Sequence, residues 1–529
     1  MRERELKLAV HGAFVVPNLA DDGLGVLTMS ELPELALRST YHDTSDLRLA
    51  RNGVTLRYRT GEEGGPVWTL KLRVPGHDAS ERDEHTFSGG PDEVPAGARD
   101  LVTALVRSAP ILPVAALETR RRRWLLCGPA EQALAELADD EVTVLDGERV
   151  VARFRELELE SRGPELDALR PIANRLRRAG AVLAEPVPKA FRALGPRAAA
   201  DPDVVPIAVS PDDPAERGVQ AALATGVARL ITNDAATRLG EVEGLHQMRV
   251  AARRLRSDLR TFRPLLDRDW SAGLSDELRW LGSLLGTVRD ADVQLERLDR
   301  IAADLLPALD PLLTRFRRRR DDGRGELLAA LGSERYRNLL ERLVDAVRSP
   351  LVNSDAARLV ASALPPLVQR AWKALEPEAE SVRGGGPEER YHAVRIKVKR
   401  VRYAAEAIAP ALGAEGRPVG RLAEVAAALQ DQLGTMHDDA VMQTEALATV
   451  EGHPDPEFAL AAGRLIERCA ASVAGAKTRY PKLWSKAVRR MRATRKRATD
   501  EDGDRKHGNR RHGNRKHADT SRAQGSHRG

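Results

Sequence analysis

Apolar and polar residues alternate at period two through much of the first 195 residues, with Gly and Pro breaks at 61–66, 75–76 and 89–91, a pattern that predicts short β-strands. From 196 to 216 prolines recur in Pro-Arg-Ala-Ala-Ala-Asp-Pro-Asp, Val-Val-Pro and Ser-Pro-Asp-Asp-Pro, which reads as an extended linker. Beyond it the period changes. Apolar residues return every three to four positions over 245–262, 278–298, 335–347, 391–408 and 421–433, predicting amphipathic helices. After 486 the text Arg-Lys-His-Gly-Asn-Arg-Arg-His-Gly-Asn-Arg-Lys-His holds almost no apolar residue, cannot build a core, and is expected to be disordered. The expected divisions are therefore a β-rich domain at 1–198, a linker at 199–214, a helical domain at 215–485 and a basic tail at 486–529.

Composition narrows the function classes. Aromatic residues are only 4% of the 529 and charged residues 31%, so the apolar material is largely Ala, Leu and Val in helices with solvated faces. No apolar run approaches the roughly 18 residues that span a bilayer, and Met1 to Lys7 is charged, which points to a cytoplasmic protein. Cys127 and Cys469 are the only cysteines, so a metal would be held by oxygen or histidine. The net charge of +6 conceals its distribution, because 15 Lys and Arg against 5 Asp and Glu from 486 onward leave −4 for everything before. An anion bound by the folded body must meet locally clustered cations.

Such clusters are visible strand by strand. Residues i, i+2 and i+4 share a face, which groups Glu3, Glu5 and Lys7; Arg57 and Arg59; Lys71 and Arg73; Arg82 and Glu84; Arg121 and Arg123; and Glu156, Glu158 and Glu160. For one strand a solvated face is the plainer reading. For the set, ions sorted by strand with few Ser, Thr, Asn or Gln argue that the charged faces line the inside of a curled or closed sheet. Buried ions at that density need a multivalent ligand to complete them: Arg and Lys for phosphate oxygens, Glu for a hard divalent cation such as Mg²⁺ or Mn²⁺.

Glu3-x-Glu5-x-Lys7, Tyr41-His-Asp-Thr44, Gly53-Val-Thr-Leu-Arg-Tyr-Arg59, Trp68-Thr-Leu-Lys71, Glu156-x-Glu158-x-Glu160 and Pro188-Lys189 before Arg192-Ala-Leu194 together resemble a CYTH domain, the triphosphate tunnel metalloenzyme fold, over roughly 1–198. The resemblance implies an α+β domain built on an eight-stranded antiparallel tunnel. Glu5, Glu158 and Glu160 would hold metal with Glu3 and Glu156 nearby, while Lys7, Arg57, Arg59, Lys71, Arg73, Arg121, Arg123 and Lys189 would grip a triphosphate. It also implies an acid on the preceding strand, Asp140 in phase with Glu136, with neighbouring Asp139 leaving the register open. Arg120 and Arg122 leave the same ambiguity beside Arg121 and Arg123. His42 stands where the family more often has an aromatic.

The helical text is written twice. His246-x-x-Arg249-x-x-x-Arg253-Arg254-x-Arg256 returns as His392-x-x-Arg395-x-x-x-Lys399-Arg400-x-Arg402, and Leu285-Gly286-x-x-Arg289-Asp290 as Leu433-Gly434-x-x-His437-Asp438. Positions i, i+3, i+7 and i+10 form one helical stripe. A solvated basic face would not repeat a His at one phase, and like charges so spaced repel unless an acid or an anion joins them. The duplicated pattern resembles a CHAD domain, which implies an all-α domain of two pseudo-symmetric bundles binding inorganic polyphosphate through these residues. The second copy departs from the first in Lys399 for Arg253 and His437 for Arg289.

The reading is a metal-dependent triphosphatase, expected to act on inorganic tripolyphosphate, with a polyphosphate-binding helical half and association with polyphosphate granules. Thiamine triphosphate hydrolysis and ATP cyclisation are the family's other chemistries, and a non-catalytic polyphosphate binder is the competing class. Nucleic acid would be met only non-specifically through the tail.

Overall fold

The computed structural model describes residues 2–73, 81–184, 187–453 and 455–520; side chains at 2, 3, 22, 81 and from 495 onward lie outside the description, as do Pro75-Gly76 and the last nine residues. By contacts the chain forms two compact units. The first comprises Met1–Val205 with Ala228–Leu245 and Ala329–Val344, and the second comprises Pro206–Val227, His246–Leu328 and Asp345–Gly529.

In the first unit the period-two segments form β1 (Arg2–Ala9), β2 (Thr28–Asp43), β3 (Thr55–Thr60), β4 (Val67–Arg73), β5 (Glu81–Phe87), β6 (Leu112–Cys127), β7 (Ala133–Asp146) and β8 (Arg149–Ser161). They hydrogen-bond antiparallel in the order β5-β4-β3-β2-β6-β7-β8-β1, and a β1–β5 pairing through Glu3 and Arg82 closes the ring. A two-residue strand, β9 (Val182–Leu183), adds to β1 where β5 has left it. The described sheet thus has nine strands rather than eight, the extra one lying outside the ring.

Alternation decides what faces out. Leu56, Trp68, Leu70 and Leu72 are buried against Ala98, Leu101 and Val102 of α2 (Ala96–Val106), the second helix after the single turn α1 (Arg48–Arg51). Leu8, Leu137, Leu157 and Leu159 are buried against Ile172 and Leu176 of α3 (Arg170–Arg178). Covering these faces leaves the alternate positions pointing inward. A short helix, α4 (Lys189–Leu194), brings Lys189 to the interior.

The helices that follow are α5 (Ala215–Thr232), α6 (Asp234–Leu239), α7 (Val242–Thr261), α8 (Arg268–Ile301), α9 (Asp310–Leu331), α10 (Glu334–Arg348), α11 (Val360–Ala363), α12 (Pro365–Ser381), α13 (Glu388–Ile408), α14 (Arg417–Gly452) and α15 (Pro456–Thr520). Helices α7 and α13 carry the two basic stripes; α8 and α14 carry the two Leu-Gly motifs. In the second unit Trp372 of α12 stacks on Trp484 of α15 with centroids 5.1 Å apart, and Tyr391 of α13 meets Tyr480 edge-on. Arg297 of α8 donates to Asp439 of α14 at 2.8 Å, joining the two copies through a buried charge pair. Met491 is the last buried side chain described, so packing ends near the start of the basic tail although the helical backbone continues to Thr520.

The proline-rich segment begins anchored. Asp203 is buried against Arg107, and Arg51 reaches it at 3.0 Å. Arg107, at the end of α2, has φ +56°, a conformation a non-glycine residue adopts only when its surroundings hold it there, and its Nε also donates to Glu341 at 2.9 Å. Removing one partner from a buried pair leaves an uncompensated charge, so Asp203→Ala should destabilise the first unit by about 3 kcal/mol. Urea unfolding followed by circular dichroism measures this, and a change near zero would show the anchor to be dispensable.

Candidate functional site: a charged tunnel and a basic helical cluster

The inward positions line a cavity of about 830 Å³. Glu5, Lys7, Arg57, Arg59, Lys71, Arg121, Arg123, Glu158, Glu160 and Lys189 all reach it. Strand register sorts its charges into rows. Glu5, Glu160 and Glu136 lie side by side across β1, β8 and β7; next come Lys7, Glu158, Ala138 and Arg123, the last on β6; then Ala9, Glu156, Asp140 and Arg121.

The second and third rows are largely neutralised. Lys7 Nζ donates to Glu158 at 2.7 Å and lies 3.1 Å from Glu5. Lys189 lies 2.5 Å from Glu158, 2.8 Å from Asp140 and 2.9 Å from Glu156, and Arg121 bonds Asp140 through two nitrogens and Glu158 through one. Burial would raise the Glu158 carboxyl, but the charges of Lys189, Lys7 and Arg121 hold it well below the usual carboxylate range, and Asp140 is lowered by the same balance with Lys189 and Arg121. The register questions are thereby answered. Asp140 faces the tunnel, while Asp139 faces outward to Arg122 and Arg155. Arg121 and Arg123 face inward, while Arg120 pairs outside with Glu34.

The first row is different. Glu5 and Glu160 are direct cross-strand partners, an arrangement in which like charges repel, and the Arg162 contact to Glu160 is a loose 3.6 Å. A divalent cation would relieve that repulsion, and hard oxygen donors of this kind suit Mg²⁺ or Mn²⁺. Glu5 and Glu160, with Glu158 in the adjoining row, are the residues that would hold it. Among the described residues no group of three acidic or histidine side chains is already placed to hold a metal ion. The Glu3 side chain lies outside the description.

Across the tunnel, cations are in excess. Arg57 stands opposite Tyr41 in the β2–β3 register, and Arg59 donates to Ser39 at 3.0 Å and to Glu62 at 2.9 Å. Burial and the charges of Arg57 and Arg121 push Arg59 below the usual guanidinium range. Burial would raise the Tyr41 phenol, yet Arg57, Arg59 and Lys189 draw it down instead. Lys71 is paired with Glu84 at 3.1 Å. Arg73 is not brought into this cavity: at the exposed end of β4 it lies over Gly53 and lines a separate cavity with Asp83. Tyr41, Glu62, Glu63 and Arg162 line the tunnel without having been singled out by charge alternation; Tyr41 shares a parity with Leu35 and Leu37 that reads as core, and Glu62 and Glu63 sit in a turn.

The second unit holds its own cluster. Arg249 of α7 pairs with Asp290 of α8 at 2.8 Å, and Arg253 donates to the Tyr403 hydroxyl of α13 at 2.8 Å. Arg395 and Lys399 feel both arginines, and His392 meets His437 with ring nitrogens 3.3 Å apart. His246 is half-buried on the same stripe, one turn before Arg249. Arg256 sits instead among Arg260, Arg279 and Asp276, Arg402 bonds Glu406 at 2.7 Å, and Arg289 bonds Glu296 at 2.8 Å.

A closed antiparallel tunnel of alternating charge, followed by a duplicated helical domain with a basic cluster, defines a triphosphate-tunnel protein joined to a polyphosphate-associated helical domain. The CYTH domain family model matches residues 1–181 and the CHAD domain model residues 221–447, and the chain belongs to the CYTH–CHAD fusion proteins. It is 33% identical over 472 residues to the uncharacterized proteins MT2285 and Rv2226 of Mycobacterium tuberculosis, covering 84% of this chain and 88% of each relative. Among solved structures, the CHAD domain of Ricinus communis is similar at 24% identity and TM-score 0.41 over 52% of this chain and 95% of that one. The Hippeastrum protein HpAC1, described as having a dominant triphosphatase activity, is similar at 17% identity and TM-score 0.21 over 34% and 90%. No described helix is long and apolar enough to cross a membrane.

Lys189 provides a direct test of the rows. Lys189→Met leaves Asp140, Glu156 and Glu158 short of a cation, which should cost about 3 kcal/mol at neutral pH. In the wild type the lowered carboxyls of Asp140 and Glu158 stabilise the fold above their ordinary range and lose that contribution as pH falls through their folded values; in the variant, without Lys189, burial raises these two, so acid restores neutrality. Urea denaturation should therefore show the gap between variant and wild type narrowing from about pH 7.5 to about pH 5. An equal gap at both would mean that Lys189 acts by packing alone.

Proposed function

We propose that this protein is a metal-dependent triphosphatase whose tunnel hydrolyses a short inorganic polyphosphate, most simply tripolyphosphate, and whose helical domain binds longer polyphosphate. The observation that carries the first part is the crowding of cations around Arg59, which draws down both Arg59 and the buried Tyr41 phenol, in the same cavity as the cross-strand carboxylate pair Glu5 and Glu160. A triphosphate satisfies both sides. Arg57, Arg59, Arg121 and Arg123 would receive phosphate oxygens, and Glu5, Glu158 and Glu160 would hold Mg²⁺ or Mn²⁺, which when bound neutralises developing charge and lowers the pKa of water. Phosphoryl transfer asks mainly for positioning and charge neutralisation. The tunnel supplies these through side chains fixed in strand register, with Lys7 and Lys189 fixing the orientation of Glu158.

Inorganic substrate is favoured over thiamine triphosphate or ATP because the chain carries a CHAD domain, whose family is associated with polyphosphate. The partners that follow are inorganic tripolyphosphate and polyphosphate, in the cytoplasm and at polyphosphate granules. Phosphate release from tripolyphosphate, thiamine triphosphate and ATP, compared with Mg²⁺ and with Mn²⁺, tests the assignment. Turnover in excess chelator would refute it, and no turnover of any of the three would leave the tunnel a binding module.

Glu160→Gln isolates the metal role better than Glu158→Gln, because Glu158 also holds Lys7, Lys189 and Arg121 in place. We expect Glu160→Gln to retain the fold and lose at least about tenfold in activity, the loss seen when even an outer partner of a metal is removed. In the helical domain, Arg249→Ala with Arg253→Ala should weaken polyphosphate binding at physiological salt of about 0.15 M. Removal of 486–529 should weaken it mainly at low salt, since a polycationic segment without a preorganised anion site binds by counterion release. The opposite pair of results would make the tail the receptor.

A further inference from the structure

The two copies of the basic stripe differ chemically. Where the first copy has Arg253 and Arg289, permanently charged, the second has Lys399 and His437, which can lose their protons. The structure places both replacements at the crowded centre. Lys399 faces Arg395 on its own helix, Arg249 and Arg253 from α7, and Asp438 from α14. His437 faces His392, Arg395 and Lys399 from α13 and Asp290 from α8; from α15, Lys477 stands over the neighbouring Tyr391 ring. The acids do not balance this crowd, since Asp290 is already paired with Arg249. The ring nitrogens of His392 and His437 point at each other 3.3 Å apart, a separation at which two protonated imidazoles would repel with nothing between them.

We propose that the second-copy half of this cluster is a proton-linked polyphosphate subsite, in which Lys399, His392 and His437 take up protons when a polyphosphate chain is seated and so make binding tighter as pH falls. The proposal rests on the polyphosphate reading of the same cluster. Burial and the charges of Arg395, Arg253 and Arg249 bring Lys399 down to about 7, and burial with Arg395, His392 and Lys399 brings His437 down to about 4. His392 is lowered by burial, Arg395 and Lys399. A polyanion laid over these groups cancels the repulsion and returns each toward its ordinary value, 10.5 for Lys399 and 6.5 for the histidines. The sign follows. Between the free and bound values the complex carries more protons than the free protein, so affinity rises as pH falls through the lysine window and again through the histidine window. Arginine at both positions would have given tighter binding without this dependence; the chain's own first copy shows that the fold accepts it.

The test is calorimetric titration of the full-length protein with long-chain polyphosphate, whose internal phosphates stay ionised throughout. From about pH 9 to about pH 7 the wild type should gain up to about tenfold in affinity per pH unit for the one lysine proton. Lys399→Arg with His437→Arg copies the first repeat and should flatten that dependence while binding more tightly at the alkaline end. The tail histidines are common to both proteins and cancel in the comparison. Repeating the wild-type titration in buffers of different ionisation enthalpy reads proton uptake directly, without any variant, and should give net uptake near neutrality. Identical pH dependence in wild type and double variant, or no proton uptake, would overturn the inference while leaving polyphosphate binding intact. Absence of binding at every pH would instead overturn the polyphosphate reading.

Discussion

The tunnel depends on neutralising buried carboxylates one cross-strand row at a time. Glu158 and Asp140 could not remain ionised inside a closed sheet unless Lys7, Lys189 and Arg121 reached them from three different elements. That requirement fixes much else. It sets the register of β1 against β8, because a slip of one residue would turn Lys7 out toward α3 and bring Leu6 and Leu8 inward. It explains why α4 begins at Lys189, and why the outward positions are so consistently Leu, Trp and Ala that helices must cover them. The neutralised rows are a scaffold; the cross-strand pair Glu5 and Glu160 on one wall and the crowded Arg57 and Arg59 on the other are where like charges meet and a ligand of the opposite sign would relieve them.

The helical domain meets the same electrostatic problem with different geometry. A helix stripe cannot enclose an anion, so the cations of α7 and α13 are brought together across the duplication instead. Because these groups are only partly buried, repulsion among them is borne as a loss of proton affinity, in Lys399 and His437, rather than as a network of buried acids. In the tunnel, carboxylates hold cations charged; in the cluster, cations discharge one another. The first arrangement is rigid at any physiological pH, and the second responds to its surroundings.

How much of this was legible in the sequence follows from which features are local. Period two announced the inward faces of β1, β3 and β8, because charge and apolar character alternate cleanly there, and the repeated His-x-x-Arg spacing announced the helical stripes. The run Arg120 to Arg123 could not be resolved, since four consecutive arginines offer both parities and β2 carries an irregularity opposite them at Leu32 to Leu35. Asp139 and Asp140 posed the same difficulty. Arg73 has the parity of Lys71 but lies at the last described position of β4, where alternation ceases to constrain direction. Tyr41 was visible as part of a motif, yet only its cross-strand partner Arg57 makes it a tunnel residue. That the two stripes converge is likewise a tertiary fact, which no spacing within either copy contains.

Under the proposed function the two domain types also suit different lengths of the same polymer. An enclosed cavity of about 830 Å³ presents a fixed number of cations, so its affinity saturates once a few phosphates are seated and further chain must leave through an opening. The helical cluster imposes no such limit, because a surface can pass a chain of any length and gain from each unit only a charge-assisted bond or two. A protein with both would hold long chains weakly per unit but by many units, and short ones tightly by few. Under the proposed function such a division would give the CHAD domain a reason to be joined to this tunnel without taking any part in the chemistry: it would raise the local concentration of chain ends, while discrimination and hydrolysis would stay with the strand-registered residues.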